Sequence, residues 1–168
     1  AGEARFYPVT PNRRLGPPVR LACANALAAA AGDITGNGRE DLVVACCRDH
    51  NEEEESWIYW GVPGGYDNEH RTALPTRCAR DVAVGDLNGN GFMDVVVCQG
   101  RTDILHTTES LVFRGSAKGI DDVPVRLTTH DATTALIART RADATPQVVF
   151  INHEGGRVRG DVPTYIYH

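Results

Sequence analysis

Two ten-residue stretches place oxygen-bearing side chains in the same alternating pattern: Gly32-Asp33-Ile34-Thr35-Gly36-Asn37-Gly38-Arg39-Glu40-Asp41 and Gly85-Asp86-Leu87-Asn88-Gly89-Asn90-Gly91-Phe92-Met93-Asp94. Counted from the aspartate, the oxygens fall at loop positions 1, 3, 5 and 9, with glycine at position 6. Alternate residues of a tight turn aim at one centre, and an all-oxygen donor set is what a hard cation such as calcium requires. In the first loop Asp33, Thr35, Asn37 and Asp41 supply side-chain oxygens, and the Arg39 carbonyl fills position 7. In the second, Asp86, Asn88, Asn90 and Asp94 do so, with the Phe92 carbonyl. Gly38 and Gly91 stand where the turn needs positive φ, which a Cβ penalises.

Asn37-Gly38 and Asn90-Gly91 are strong turn dipeptides by themselves, so a pair of metal-free hairpins is the competing reading. A plain turn has no use for the second carboxylate that both loops carry. Two calcium sites are therefore expected. Thr35 is a weaker ligand than Asn88, its counterpart. With two carboxylates per loop the sites should be weak and suited to an extracellular calcium pool. They are not EF-hands, because no bidentate glutamate stands at position 12 and the flanks read as strands.

The elements that position the loops repeat as well. Ala26–Ala31 and Ala79–Val84 lead in; Leu42–Ala45 and Val95–Cys98 lead out. The exits are short, apolar and mostly β-branched, which favours buried strands. Small entry residues suit a crowded convergence of strands, with an amphipathic helix through the alanines as the alternative. Ser56-Trp57-Ile58-Tyr59-Trp60-Gly61 is echoed by Ser110-Leu111-Val112-Phe113-Arg114-Gly115 and by Thr164-Tyr165-Ile166-Tyr167-His168. Asp33 and Asp86 lie 53 residues apart, while Trp60, Arg114 and His168 are spaced by 54. A fixed period of this length marks an array of supersecondary units. Strand, loop, strand, acidic segment, aromatic strand and Gly-rich turn make one small antiparallel sheet per repeat, as in a β-propeller blade.

The stretches GDITGNGREDLVVA, GDLNGNGFMDVVV and SWIYWG…GGY…LPT resemble the FG-GAP/VCBS repeat. That resemblance implies a calcium-loop propeller blade of the integrin-α type, with the metal at the turn between its first two strands. It covers most of the chain but does not fix function, because the family spans adhesion receptors, sugar binders and non-catalytic modules of carbohydrate-active enzymes.

The expected fold is thus all-β, with three antiparallel-sheet blades of a β-propeller. Residues 1–19 would close a preceding blade. Residues 20–75 form repeat 1 with loop 33–41, and 76–127 form repeat 2 with loop 86–94. Residues 128–168 form a degenerate repeat 3. There Arg139, Arg141, Asp143 and Gln147 fall at the metal positions and Ala144 at the glycine, so no cation is expected. Arg139 bridging to Asp143 is the structural reading; contact of the arginines with an anionic ligand is the other. Closing a ring takes about four to eight blades, so three imply partner blades from the same or another chain. The array is then a partial ring, or a subunit of a ring or filament.

A net charge of −5 gives a nucleic-acid role no electrostatic basis. No apolar run reaches membrane-spanning length, and a secreted or cell-surface setting fits the weak calcium loops. The five cysteines, Cys23, Cys46, Cys47, Cys78 and Cys98, cannot all pair within one chain and form no zinc motif. Cys98 reads as a small buried hydrophobe. Cys46 and Cys47 should point to opposite faces of a strand, so at most one readily faces the core.

Glu52–Glu55 reads as a solvated acidic loop or, more sharply, a second cation site or a contact for basic partners. Trp57 and Tyr59 should share one strand face and Trp60 the other. Packing between blades is the default for these aromatics, and sugar stacking the alternative. His70 and Arg71 are exposed loop residues that could line a ligand surface. No nucleophile elbow, catalytic triad order or phosphate loop is present, so no enzyme is expected. Two functions remain: a non-enzymatic calcium-binding extracellular module for glycan or protein binding, adhesion or self-assembly, or a non-catalytic accessory portion of a secreted polysaccharide-acting enzyme.

Overall fold

A computed structural model describes residues 2–47, 54–102, 107–139, 144–153 and 163–167. The described residues form an all-β fold of antiparallel sheets with no helix. Strands β1 (Glu3–Phe6) and β2 (Val19–Ala22) pair with each other. A four-stranded sheet follows in sequential order: β3 (Ala26–Gly32), β4 (Asp41–Cys46), β5 (Ser56–Tyr59) and β6 (Arg71–Leu74). The next sheet holds β7 (Ala79–Gly85), β8 (Asp94–Gln99), β9 (Thr107–Phe113) and, past a small hairpin of β10 (Gly115–Ser116) and β11 (Gly119–Ile120), β12 (Val125–His130). The last sheet is β13 (Ala132–Ala138), β14 (Gln147–Asn152) and β15 (Tyr165–Tyr167).

β4 and β8 read DLVVAC and DVVVCQ because both of their faces are covered. Val43 and Ala45 join a core with the second sheet, while Val44 and Cys46 join one with Leu21 of β2. In β8, Val95 and Val97 face the first sheet, and Val96 and Cys98 face the third. Strands buried on both sides lose the apolar–polar alternation and become continuous apolar runs. Cys46 joins that Leu21 core, while Cys47, one residue past the end of β4, is buried without joining it.

The alanine-rich stretch is a strand, with Ala30 opposite Val43 and Ala29 opposite Val44. Small residues are needed there because the inner strands crowd together: β3 packs on β7, and β7 on β13. A Cβ on Gly32 would overlap the Val84 side chain, and one on Gly85 would press on Ile137. Tertiary packing thus overrides the helix propensity of alanine.

The 53-residue period is written into the backbone of all three sheets. Asn25, Cys78 and Asp131 each take positive φ (50°, 42° and 43°). Their carbonyls accept the N–H groups of Cys47, Gly100 and His153 at 3.2, 3.0 and 3.1 Å. Each inner strand then bulges at the same place, at Leu27, Arg80 and Thr133. A side-chain amide braces the later sheets, where Gln99 Oε1 accepts from Arg77 N at 2.6 Å and Asn152 Oδ1 from His130 N at 3.0 Å. In the first sheet the residue at that position, Cys46, forms a disulfide with Cys23 instead. A second disulfide, Cys47–Cys78, ties the first sheet to the second.

Candidate metal centre

Both candidate loops span the turn between the first two strands of a four-stranded sheet, β3–β4 and β7–β8. In the first, Asp33 Oδ1 accepts from Asn37 N at 2.9 Å and Oδ2 from Gly38 N at 2.7 Å. Asn37 Oδ1 accepts from Arg39 N at 2.9 Å. Ile34 plugs the loop into the core below it. In the second, Asp86 Oδ1 accepts from Gly89, Asn90 and Asn88 at 2.7, 3.2 and 3.3 Å, and Oδ2 from Gly91 at 2.9 Å. Asn88 and Asn90 cap Asn90 N and Phe92 N at 3.0 and 2.9 Å. Gly38 and Gly91 adopt φ of 84° and 85°, so position 6 is left-handed in both loops.

The carboxylate at position 9 works differently. Asp41 and Asp94 are fully buried. Asp41 Oδ2 accepts from Ile34 N at 3.0 Å and its Oδ1 from Gly61 N at 2.9 Å. Asp94 repeats this with Leu87 N and Gly115 N, both at 3.0 Å. Each thereby clasps its own loop to the end of the aromatic strand 20 or so residues on. The glycines permit the approach, since a Cβ on Gly61 would overlap the Glu40 carbonyl and one on Gly115 the Met93 carbonyl. Sequence reasoning noted the repeat of Gly61 and Gly115 but not their N–H groups as partners of the loop carboxylates. Their identical place after each aromatic strand was the available signal.

Electrostatics act oppositely on one aspartate of each loop, Asp41 and Asp86. Burial, the largest influence, pushes the Asp41 carboxyl above the usual carboxylate range, against the lowering by Gly61 and Ile34 N–H; the Asp33 charge raises it further. For Asp86, desolvation is the largest single influence and acts upward. The N–H groups of Gly91, Gly89, Asn88 and Asn90 together carry it below its ordinary value.

Three observations fit a cation in the first loop. The Thr35 Oγ1 atom is buried and has no hydrogen-bond partner, an arrangement that costs about 1–3 kcal/mol unless something else satisfies the oxygen. Asp33 and Asp41 repel each other, and a cation between them would reverse that sign. Each paired carboxylate oxygen also keeps acceptor capacity beyond its N–H contacts. The second loop differs in one respect: Arg114 Nη1 donates to Asp94 Oδ2 at 2.9 Å. The first loop has Trp60 at that position, with its Nε1 turned to Thr72 Oγ1 at 2.9 Å. Among the described residues no cluster of three or more acidic, histidine or cysteine side chains forms. The loops combine two carboxylates with amide, hydroxyl and carbonyl oxygens instead.

In the third repeat, Arg139 stands at the first loop position and its Nη2 reaches the Asp86 carbonyl at 3.4 Å. Arg141 and Asp143, and so the bridge between Arg139 and Asp143, lie outside the described residues. So do Glu52, Glu53 and His168. Tyr59 is fully buried and donates to the Ala22 carbonyl at 2.7 Å, while the Arg71 guanidinium stacks 4.0 Å from the Trp57 ring. His70 Nδ1 pairs with Asp67, 2.9 Å away. A polar groove of about 590 Å³ between the first two sheets is lined by Glu54, Glu55, Trp57, Arg77 and Arg126.

Residues 33–97, from the first loop aspartate to the middle of β8, match the family described as FG-GAP-like repeat. No curated protein matches the chain.

Proposed function

We propose that this chain is a non-enzymatic, calcium-binding β-propeller repeat module of the extracellular space, used for glycan or protein binding, adhesion or self-assembly. The observation that carries the reading is the pair of all-oxygen loops repeated 53 residues apart, one of which holds a buried hydroxyl that no protein group satisfies. Asp33, Thr35, Asn37, Asp41 and the Arg39 carbonyl would hold one ion; Asp86, Asn88, Asn90, Asp94 and the Phe92 carbonyl the other. Bound calcium would offset carboxylate repulsion and fix the turn between the first two strands of a blade. The protein's part is to present the oxygens, through backbone N–H groups that orient Asp33 and Asp86 and through Gly61 and Gly115, which anchor Asp41 and Asp94.

Two disulfides support an oxidising, extracellular setting. The groove beside Trp57, with carboxylates and guanidinium groups together, suits a polar ligand such as a glycan or a charged protein segment. The same features serve the second reading, a non-catalytic portion of a secreted polysaccharide-acting enzyme. Thermal unfolding with calcium and with chelator tests the proposal. Stability should rise with free calcium as RT ln(1 + [L]/Kd), and the chain alone should turn over no polysaccharide. Identical melting in both conditions removes the calcium reading; cleavage or elimination by the chain removes the non-enzymatic one.

A further inference from the structure

A second cavity, of about 520 Å³, opens where the first loop meets the β10–β11 hairpin of the second sheet. Thr35 and Asn37 line its loop side, Trp60 and Thr72 its first-sheet side, and Lys118 and Asp122 its hairpin side. It shares no residue with the groove beside Trp57. Its volume is that of a small-ligand pocket.

The walls are held in place. Trp60 Nε1 donates to Thr72 Oγ1 at 2.9 Å, which fixes the half-buried indole and leaves the Thr72 hydroxyl hydrogen free to donate elsewhere. Gly119, at φ 117°, brings the hairpin against that indole, since a Cβ there would stand 3.8 Å from the ring. Ser116 Oγ donates to the Gly119 carbonyl at 3.2 Å and accepts from Lys118 N at 3.3 Å. Asp121 N closes the hairpin base on the Arg114 carbonyl at 2.9 Å. Lys118 therefore sits on a braced turn. In the second repeat the place of Trp60 belongs to Arg114, whose guanidinium is engaged by Asp94. The first repeat offers a flat apolar ring there instead.

The lining sets what can bind. Lys118 donates and never accepts, so it needs an acceptor; the Asp122 carboxylate accepts and needs donors. Among the described residues neither forms an ion pair. An aromatic face beside hydroxyl and amide groups suits a sugar ring, whose C–H face is apolar and whose edge is polar. A sugar that also carries a carboxylate meets all of these demands. An acidic peptide brings carboxylates toward Asp122 without the hydroxyls to satisfy it.

We infer that this cavity binds a uronate residue of an acidic glycan, its ring against Trp60, its carboxylate on Lys118 and its hydroxyls on Thr72 and Asp122. The inference rests on the glycan-binding reading above and narrows it to anionic sugars. None of these four residues is a loop ligand, so failure of calcium binding leaves it standing.

Calorimetric titration with D-glucuronate and with D-glucose, the same ring without the carboxylate, tests it. Glucuronate should bind about tenfold more tightly, the effect of one charge-assisted hydrogen bond. Lys118→Gln, at the exposed hairpin tip, should erase that preference and leave glucose binding unchanged. Trp60→Ala should weaken both sugars about fivefold, and Trp57→Ala neither. Lys118 is the only lysine of the chain, so amine-reactive labelling with peptide mapping reads the site in the wild type even if Trp60→Ala unfolds. Saturating glucuronate should slow that labelling, and glucose at the same concentration should not. Equal affinity for the two sugars, a preference that survives Lys118→Gln, unslowed labelling, or tighter binding of an aspartyl dipeptide overturns the inference and leaves the glycan-binding reading standing. Binding of neither sugar removes both.

Discussion

The Arg114 guanidinium lies 2.9 Å from the Asp94 carboxylate, placing a positive charge on the oxygen that a cation in the second loop would share. Asp94 is fully buried, so this pair is screened less than a surface ion pair. Trp60 holds the equivalent place in the first loop and brings no charge. Replacing Arg114 with Trp should strengthen calcium binding at the second site by about 1 kcal/mol, or roughly fivefold. Titration of the variant against the wild type checks this, with the first site as the internal control.

Gly115 makes a sharper structural prediction. Its N–H binds Asp94 at 3.0 Å, and a Cβ would overlap the Met93 carbonyl. Gly115→Ala should therefore destabilise the chain by about 2–4 kcal/mol, beyond an ordinary surface change. Urea unfolding in chelator isolates this effect from metal binding. Gly38→Ala, where no atom crowds the added Cβ, should cost less and act through φ alone.

The loops and the strands leaving them were legible because their signals are local. Ligand spacing, glycine at position 6 and the Leu42–Ala45 and Val95–Cys98 runs all lie within a dozen residues. What lay beyond reach depends on contacts across some 20 residues or more. The Gly61 and Gly115 N–H groups and the Arg114 side chain meet their aspartates only once β5 and β9 pair with β4 and β8. Cysteine pairing was illegible for a similar reason. The alternation of Cys46 and Cys47 is local, but Cys23 and Cys78 are chosen by which element covers each face.

Opposite titration behaviour follows from Asp86 and Asp41. The Asp86 carboxyl is held low in the fold, so its stabilisation is present above the unfolded value of about 3.9 and is lost as pH falls through the folded one. The Asp41 carboxyl is held high, so its contribution is full below the unfolded value and is lost as pH rises through the folded one. In chelator, the destabilisation caused by Asp86→Asn should shrink between about pH 6 and about pH 3. That caused by Asp41→Asn should change in the opposite direction. Urea midpoints across this range read both slopes.

Cys98 is fully buried and unpaired, and burial pushes its thiol well above the usual range. It should resist thiol reagents in the native state and react as a single equivalent on unfolding without reductant. Replacing Cys47 and Cys78 by serine should cost about 2–4 kcal/mol, because their bond staples the first sheet to the second.

The central claim is that the two loops are calcium sites, and calorimetric titration of the calcium-free chain with calcium tests it most directly. The account predicts two ions per chain. Thr35→Val should weaken the first without lowering stability in chelator, because its hydroxyl has no protein partner to lose. Asp86→Ala should abolish the second. No binding heat, or an unchanged stoichiometry in both variants, would contradict it.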